Sequence, residues 1–391
     1  MAVIKQSARA LLTLLAVLAL VHGREATAGV LPEERSDIMY HSYQGGGMDI
    51  TGPSVLVRKN FLEKVSISAN YYVDNVSAAS VDVESYASPY TEERKEASVG
   101  VDYLHNKTTM SFGHTTSEES DYDAKTTFFG ISQDFFGDLT TISLGYALGD
   151  DEVRRNNYQD GSLLSSDPVG TVDRQNYRLS LSQVLTKNLI ASLGFETITD
   201  EGFLNNPYRQ VRYLSDSGVG TQAEVYPNTR TSDAAALRAM YYLPWRASLR
   251  GEYRSFADTW GIEARSMELR YVHPWNDKLS LEVKLRQYEQ TAADFYSDLF
   301  PRQDAQNFLA RDKELATFSN WTAGIGGSYT WSYPGSAVEQ LKFSLFVDHM
   351  EFNYDDFRDI PTGRELGTGD GNEPFYSFSA DVFRLFLTVT Y

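Results

Sequence analysis

The last eleven residues of the chain, 381–391, alternate between apolar and mostly polar side chains, and this pattern constrains the fold more than any other stretch. Counting back from the C-terminus, every second residue is apolar: Tyr391, Val389, Leu387, Leu385 and Phe383. A two-residue period sustained over about ten residues is typical of a β-strand with one apolar face. The pattern therefore predicts a terminal strand that ends on an aromatic side chain.

The first 28 residues have the composition of a secretory signal peptide. Lys5 and Arg9 form a basic start, and the apolar run 11–21 is too short to cross a bilayer as a helix. Residues 26–28 (Ala-Thr-Ala) form a cleavage site of the A-x-A type, so we expect export and a mature chain that begins at Gly29. The sequence contains no cysteine, which excludes disulfides and thiolate metal sites.

The rest of the chain predicts a closed barrel. No other apolar run approaches the length of a membrane-spanning helix, and closed barrels are the other architecture that can cross hydrocarbon. Alternating segments recur from about residue 60, joined in turn by short connections and long polar ones. We predict an all-β protein: a transmembrane antiparallel β-barrel of about 14 strands, with short periplasmic turns and long extracellular loops. A Tyr-rich soluble β-sandwich is the alternative.

The same pattern predicts the domain organisation and the location. We expect a signal peptide at 1–28, a Gly-rich N-terminal arm at 29–57 in the periplasm or the lumen, and the barrel at 58–391. An even strand number places both ends in the periplasm. The aromatic C-terminal strand resembles the targeting signal of bacterial outer-membrane barrels. This resemblance implies the cell outer membrane as the location and the barrel assembly machinery as a partner.

Composition narrows the class of partners further. The chain carries a formal charge of −18, which argues against nucleic acid as a partner. Acidic loops are compatible with lipopolysaccharide reached through divalent cations. The 25 Tyr and 21 Phe suit aromatic girdles at two membrane interfaces, so outer-membrane lipid and lipopolysaccharide are the predicted surroundings.

A charged lumen wall is the first candidate site. If the apolar faces point to lipid, four consecutive strands direct charged side chains inward on one wall. Cations outnumber anions there, which suits an eyelet for anionic solutes, although a mutually paired wall that only keeps the lumen polar remains open. The members are Arg238, Arg246, Arg250, Glu252, Arg254, Glu268, Arg270, Glu282, Lys284 and Arg286.

Acidic and polar residues in the first two outer connections, or at the adjoining strand ends, form the second candidate site. Clustered carboxylates are ligands that Ca²⁺ prefers, but their spacing matches no EF-hand loop, and a solvated acidic loop is the alternative. A weaker Ca²⁺ candidate is the set Asp370, Asn372 and Glu373. The main cluster comprises Asp74, Ser77, Ser80, Asp82, Glu118, Glu119 and Asp121, with Glu92 and Glu93 nearby.

Catalytic motifs are not found in the sequence. The chain has six histidines, no Gly-x-Ser-x-Gly elbow and no His-Glu-x-x-His motif. We therefore expect neither a bound cofactor nor an enzyme, with an outer-membrane hydrolase as the remote alternative.

Four segments resemble the bacterial domain-of-unknown-function family 3570. They are the glycines at 45–47 with Gly-Pro-Ser-Val at 52–55, and the segments 71–80, 87–94 and 117–122. The resemblance implies an outer-membrane β-barrel without a demonstrated activity, and it links the chain to periplasmic redox proteins by association. We hypothesise a porin or channel-like protein for small hydrophilic solutes, including anionic ones. The alternative is a non-conducting structural or assembly barrel that serves an envelope redox or secretion system.

Overall fold

A computed structural model describes residues 30–78, 90–159 and 162–391 of the chain. Sixteen strands close into one antiparallel barrel in the order β1-β18-β17-β16-β15-β14-β13-β12-β9-β8-β7-β6-β5-β4-β3-β2, and β10 pairs with β11 in a separate hairpin. The strands are β1 (Arg35–Gly45), β2 (Met48–Phe61), β3 (Val65–Ala78), β4 (Tyr90–His105), β5 (Thr108–Glu118), β6 (Tyr122–Phe135), β7 (Thr140–Gln159), β8 (Ser162–Thr186), β9 (Leu189–Gly202), β10 (Gln210–Ser215), β11 (Gly218–Ala223), β12 (Thr229–Tyr242), β13 (Ser248–Asp258), β14 (Glu263–Pro274), β15 (Leu279–Gln290), β16 (Phe318–Ser332), β17 (Gln340–Arg358) and β18 (Phe375–Thr390). A 3-10 turn (Lys313–Leu315) and a short helix, α1 (Ile360–Leu366), lie in the connections.

The two ends of the barrel differ in their connections. At the end where β18 finishes, which we call the turn end, the strands are joined by tight links such as 106–107 and 187–188. At the opposite end, the loop end, the connections include 203–228, 291–317 and 359–374. Arg35 pairs with Thr390, so the barrel begins and finishes at the turn end, as an even strand number requires.

The outward face carries an apolar band. Leu269, Val283 and Ile325 lie on it and are 48%, 48% and 67% exposed. Exposed aromatic residues border the band at the turn end, including Trp245 and Trp275, as at a membrane interface. Such a face is stable against hydrocarbon, and the chain is a transmembrane barrel. Among the described residues, no helix has the length and apolarity needed to cross a membrane.

The predicted N-terminal arm at 29–57 is wrong. Residues 35–45 form β1, which pairs with β18 along its whole length and closes the barrel. Residues 48–61 form β2, which joins β1 to β3. Each of the fourteen predicted segments corresponds to a barrel strand, and these two additional strands raise the number to sixteen.

Two local features made the arm look irregular in the sequence. Gly46 and Gly47 have φ of 58° and 73°, and they form the two-residue turn of the β1–β2 hairpin. Pro53 lacks an N–H and sits at a gap in the β2–β3 register, between the pairs Thr51↔Asn75 and Ser54↔Tyr72. A Gly-rich and Pro-containing segment therefore proves to be a hairpin rather than a flexible arm.

Candidate functional site

The inner face of β13 to β15 carries a row of cations in register. Arg250 lies opposite Arg270, and Arg270 lies opposite Lys284. Like charges placed directly across strands repel, so such a row needs anions nearby or water around it. The structure supplies both, and the lumen wall predicted from the sequence is assembled at this place.

The adjacent row supplies most of the anions. Glu252 Oε2 is 2.7 Å from Arg238 Nε and 3.4 Å from Arg250 Nη2. Glu268 and Glu282 lie on either side of Arg270, at 3.0 Å and 3.1 Å from its guanidinium. In spite of these bridges, the side chains of Arg250 and Arg270 stay 44% and 31% exposed, whereas that of Lys284 is 14% exposed.

Two further ion-pair groups extend the wall and were absent from the sequence prediction. Glu196 on β9 lies 2.8 Å from Arg178 and 3.2 Å from Arg254. On the other side of the wall, Asp348 binds Lys284 at 2.8 Å and Arg384 at 2.6 Å. All these residues lie at inward-facing positions of their strands, but their pairing depends on the strand order, which alternation does not give.

Gly324 allows the Lys284–Asp348 bridge to cross β16. It lies between these two residues in the register. A Cβ at this position would stand 2.0 Å from Asp348 Oδ1 and 3.1 Å from Lys284 Cε. Glycine is therefore required here because two long side chains meet over the strand.

The wall is accessible to water. Exposed fractions of its arginine side chains reach 63% for Arg178, 45% for Arg238 and 44% for Arg254. With the additional groups, the wall contains eight cations and five anions: Arg178, Arg238, Arg250, Arg254, Arg270, Lys284, Arg286 and Arg384, with Glu196, Glu252, Glu268, Glu282 and Asp348. The inner surface is therefore wet and positive at this wall.

Arg246 was wrongly assigned to the wall. It lies in the β12–β13 link at the turn end, with a left-handed φ of 65°. Its side chain is 63% exposed and pairs at 3.2 Å with the exposed Asp277 of the next link. Side chains alternate between the inner and outer faces only within a strand. The alternation of β13 therefore does not predict the direction of a residue in the turn before it.

Three connections at the loop end pack into one unit, which we call the loop cap: residues 203–228, 291–317 and 359–374. Its apolar contacts join Val211 to Phe300 and Leu309. A second cluster seats the connection 291–317 on the inner wall, where Ala316 packs against the inward-facing Tyr354 and Tyr376. The cap therefore covers part of the mouth of the barrel.

A buried ion network holds the loop cap together. Arg212, which is 2% exposed, contacts the carboxylates of both Asp298 and Glu373. Arg311 donates to Asp298 Oδ1 at 3.1 Å. Burial alone would raise the pKa of the Glu373 carboxyl, but its hydrogen bonds from Arg212 hold that pKa below the ordinary value. One arginine thus joins all three connections.

This network rules out the Ca²⁺ candidate at the tip of the last connection. Glu373 is 3% exposed and turned into the cap, where both of its carboxylate oxygens bind Arg212. Asp370 and Asn372 are exposed. The three predicted ligands therefore do not converge, because the glutamate is used as a buried counterion.

The main acidic cluster is divided by the structure. Asp74 is buried on the inner face of β3, and its Oδ1 lies 2.8 Å from Nε2 of His41 on β1. Tyr72 stacks on His41 with ring centroids 5.3 Å apart. Sequence reasoning missed His41 because it placed β1 in an arm. Of the other members, Ser77 and Glu118 are exposed near strand ends, and Ser80 and Asp82 lie outside the described residues.

Glu119 and Asp121 do come together, with Glu92 as the third member. One carboxylate oxygen from each lies within 4.8 Å of the others. Burial, followed by the charge of Glu92, raises the pKa of the Glu119 carboxyl above its ordinary value. The β5–β6 connection therefore concentrates negative charge at the loop end.

The C-terminal residues form the strand that the alternation predicts. Phe383 and Leu387 lie on the exposed outer face of β18, together with Leu385 and Val389. The hydroxyl of Tyr391 donates to the carbonyl of Arg58 at 3.0 Å, across the closure of the barrel. A targeting role for these residues stays a prediction.

The closed sheet, its apolar outer band and its wet inner wall define a transmembrane β-barrel with the fold of bacterial outer-membrane proteins. Within this class, the family described as "Protein of unknown function (DUF3570)" matches residues 78–345, and the chain belongs to that family. The predicted family is therefore confirmed. No curated protein matches the chain at a significant level.

Solved structures resemble the chain only distantly. A bacterial polysaccharide outer membrane secretin is 8% identical with a TM-score of 0.46, over 92% of this chain and all of the secretin. The siderophore receptor PirA from Acinetobacter baumannii is 9% identical with a TM-score of 0.43, over 90% of this chain and 58% of the receptor. A loop-deletion mutant of OmpT from Vibrio cholerae is 9% identical with a TM-score of 0.41, over 91% of this chain and 98% of the mutant. Similarity at this level does not indicate which solute this protein takes or how it acts.

Proposed function

We propose that the protein is a channel for small hydrophilic solutes, with a preference for anions. The observation that carries the proposal is the in-register row Arg250, Arg270 and Lys284 on the inner wall, in which the two arginines are 44% and 31% exposed. A ring or band of one charge sign attracts counterions and concentrates them inside a pore. The excess of cations on this wall opposes the acidic balance of the whole chain.

Single-channel recording in planar bilayers tests conduction directly. We expect discrete current steps from the folded barrel and none from the heat-unfolded protein at the same concentration. A folded preparation, verified by its heat-dependent mobility in gels, that inserts without current would contradict the proposal.

A second candidate function, a non-conducting structural or assembly barrel, is favoured by the loop cap. The cap covers part of the mouth and is fixed by a buried network rather than by flexible contacts. The link to envelope redox proteins, which the sequence resemblance implies, points to the same candidate. Absence of current from folded protein would favour it over the channel.

The outer membrane and its lipopolysaccharide are the proposed surroundings. On the outer face, the apolar band gives way toward the loop end to exposed charged side chains, among them Arg265, Glu289 and Glu351. Acidic groups at this level suit phosphate headgroups reached through divalent cations. Export by a signal peptide and insertion by the barrel assembly machinery belong to the same proposal.

A further inference from the structure

A pocket lies at the loop end, where the connections 203–228 and 291–317 of the loop cap meet the β13–β14 link at 259–262. Its volume is about 320 Å³, at the low end of the range for small-molecule sites. Its lining combines three aromatic residues with three hydrogen-bonding residues: Trp260, Phe295 and Phe308, with Asp294, Gln306 and Asn307. The pocket therefore offers apolar and polar surfaces to one small molecule.

The aromatic part of the lining belongs to a packed core and is rigid. Trp260 and Phe295 are 5% and 6% exposed, and their rings meet edge to face with centroids 5.2 Å apart. The indole N–H of Trp260 donates to the carbonyl of Thr229 at 3.0 Å, which fixes this ring to the start of β12. Phe308 packs on Phe295 at 6.3 Å but is itself 42% exposed. One aromatic ring therefore stays exposed on a preorganised base.

A carboxylate is held beside these rings. The backbone N–H of Asp294 donates to the carbonyl of Trp260 at 2.8 Å. The carboxylate lies against Gly261, the next residue along, where a Cβ would stand 2.3 Å from Oδ1 and 2.8 Å from Oδ2. Gly261 also has a left-handed φ of 89°, which favours glycine. Within the described ranges the Asp294 carboxylate has no hydrogen-bond or ion-pair partner, so its oxygens are open to a donor from a ligand.

Two amides complete the polar part of the lining. Nε2 of Gln306 donates to the carbonyl of Phe295 at 3.1 Å, which ties this side chain to the aromatic base. The amide of Asn307 makes no hydrogen bond to any residue that the structure describes. An amide both donates and accepts hydrogen bonds, whereas an ionised carboxylate only accepts them. Together these groups complement hydroxyls, which also donate and accept.

We propose that this pocket binds a neutral sugar ring. A pyranose has an apolar face of C–H groups that packs on an aromatic ring such as Phe308, and a rim of hydroxyls that bond to carboxylates and amides. A cage for a cation needs several exposed ring faces, but Trp260 and Phe295 are buried. None of the described residues that line the pocket is basic, and Asp294 repels anions, so an acidic sugar is disfavoured.

Two sources can supply such a ring. One is a free sugar at the loop end, and the other is the sugar chain of lipopolysaccharide, which belongs to the proposed surroundings of the barrel. Both present the same hydroxyls and C–H faces. Binding is independent of conduction, since a non-conducting barrel could hold a sugar equally well.

Saturation-transfer NMR on the folded barrel tests the site, in deuterated LDAO, a detergent without a sugar headgroup. The probes are D-glucose, D-galactose, N-acetyl-D-glucosamine, lipid-free core oligosaccharide released from lipopolysaccharide, and choline as a cation. We expect saturable transfer to sugar ring protons, with a dissociation constant on the order of 1–10 mM for a single ring. Transfer to a monosaccharide supports the site with a free sugar as ligand, and transfer to the oligosaccharide alone supports it with lipopolysaccharide.

Matched substitutions locate the binding. F308L keeps an apolar side chain without the ring and should weaken binding about threefold, and D294N removes the charged acceptor and should weaken it about tenfold. The controls F375L and D370N remove an exposed ring and an exposed carboxylate elsewhere at the loop end and should bind as the wild type does. Heat-dependent gel mobility confirms that each variant is folded.

Three results would overturn the proposal. They are the absence of transfer to every sugar probe, equal affinity in the wild type and all four variants, and transfer to choline without transfer to any sugar.

Discussion

At the scale of single residues, the position of a charge relative to the lumen decides its effect. Arg270 occupies the centre of the cation row and lies between Glu268 and Glu282. Arg246 carries the same charge but lies in a turn and contacts Asp277. These two arginines differ in placement rather than in chemistry, so they form a matched pair for a test.

We predict that R270Q lowers the preference for anions and that R246Q does not. A unit charge about 4 Å from an ion in water is worth about 1 kcal/mol, so the ratio of anion to cation permeability should fall up to about fivefold in R270Q. Zero-current potentials in a salt gradient measure this ratio. Equal ratios in both variants would contradict an electrostatic role for the row.

Arg212 is the residue on which the loop cap most depends. Its replacement leaves Glu373 buried without its counterion and Asp298 with Arg311, and removing one partner of a buried pair costs about 3–5 kcal/mol. We predict that R212M opens the cap to limited proteolysis within 203–228, whereas R364M, on an exposed face of α1, leaves the cleavage pattern unchanged. Wild-type resistance in R212M would show that the apolar contacts alone hold the cap.

Residue placement could be predicted from the sequence wherever alternation is regular. Nine of the ten predicted wall residues lie on the inner face, because inward- and outward-facing residues alternate regularly along β12 to β15. This alternation failed at Arg246, where the chain turns. It could not show that Glu196 and Asp348 complete the wall, because a single carboxylate on a strand has no partner until strand order is known.

At the scale of elements, hairpins were predictable and the N-terminal pair of strands was not. Turn residues such as those at 106–107 and 187–188 separate clearly alternating strands, so these hairpins follow from local pattern. The β1–β2 hairpin contains Pro53 and three consecutive glycines, which lower strand propensity. Its strands are stabilised instead by neighbours on both sides, including β18 from the far end of the chain.

We predict that a disulfide can join β1 to β18. Ser42 and Phe383 are directly paired, and paired residues of antiparallel strands have Cα atoms about 4.5–5.5 Å apart, within the range of a disulfide. The natural chain has no cysteine, so S42C/F383C should give one cross-linked species by mass spectrometry after oxidation.

The matched control uses the other neighbour of Phe383. Val347 pairs with Phe383 from β17, so S42C/V347C places the cysteines two strands apart and should stay reduced. If S42C/F383C also stays reduced in folded protein, residues 35–45 would not form the closing strand.

At the scale of the whole molecule, the loop cap is the feature that the sequence could not predict. Arg212 and Glu373 are 161 residues apart in the chain, and the contact exists only because strand closure brings their connections to one mouth. The long polar connections could be predicted as loops. Their packing on the inward-facing Tyr354 and Tyr376 could not, because these tyrosines come together only when the barrel closes. The cap narrows the mouth above the charged wall, so both features act on any solute that passes.

The central claim is that the barrel conducts and that its basic wall selects anions. The zero-current potential of the wild-type protein in a planar bilayer under a KCl gradient tests it most directly. We predict a potential with the sign of chloride selectivity, and a magnitude that falls as salt concentration rises and screens the wall. A potential with the sign of potassium selectivity, or folded protein that carries no current, would contradict the claim.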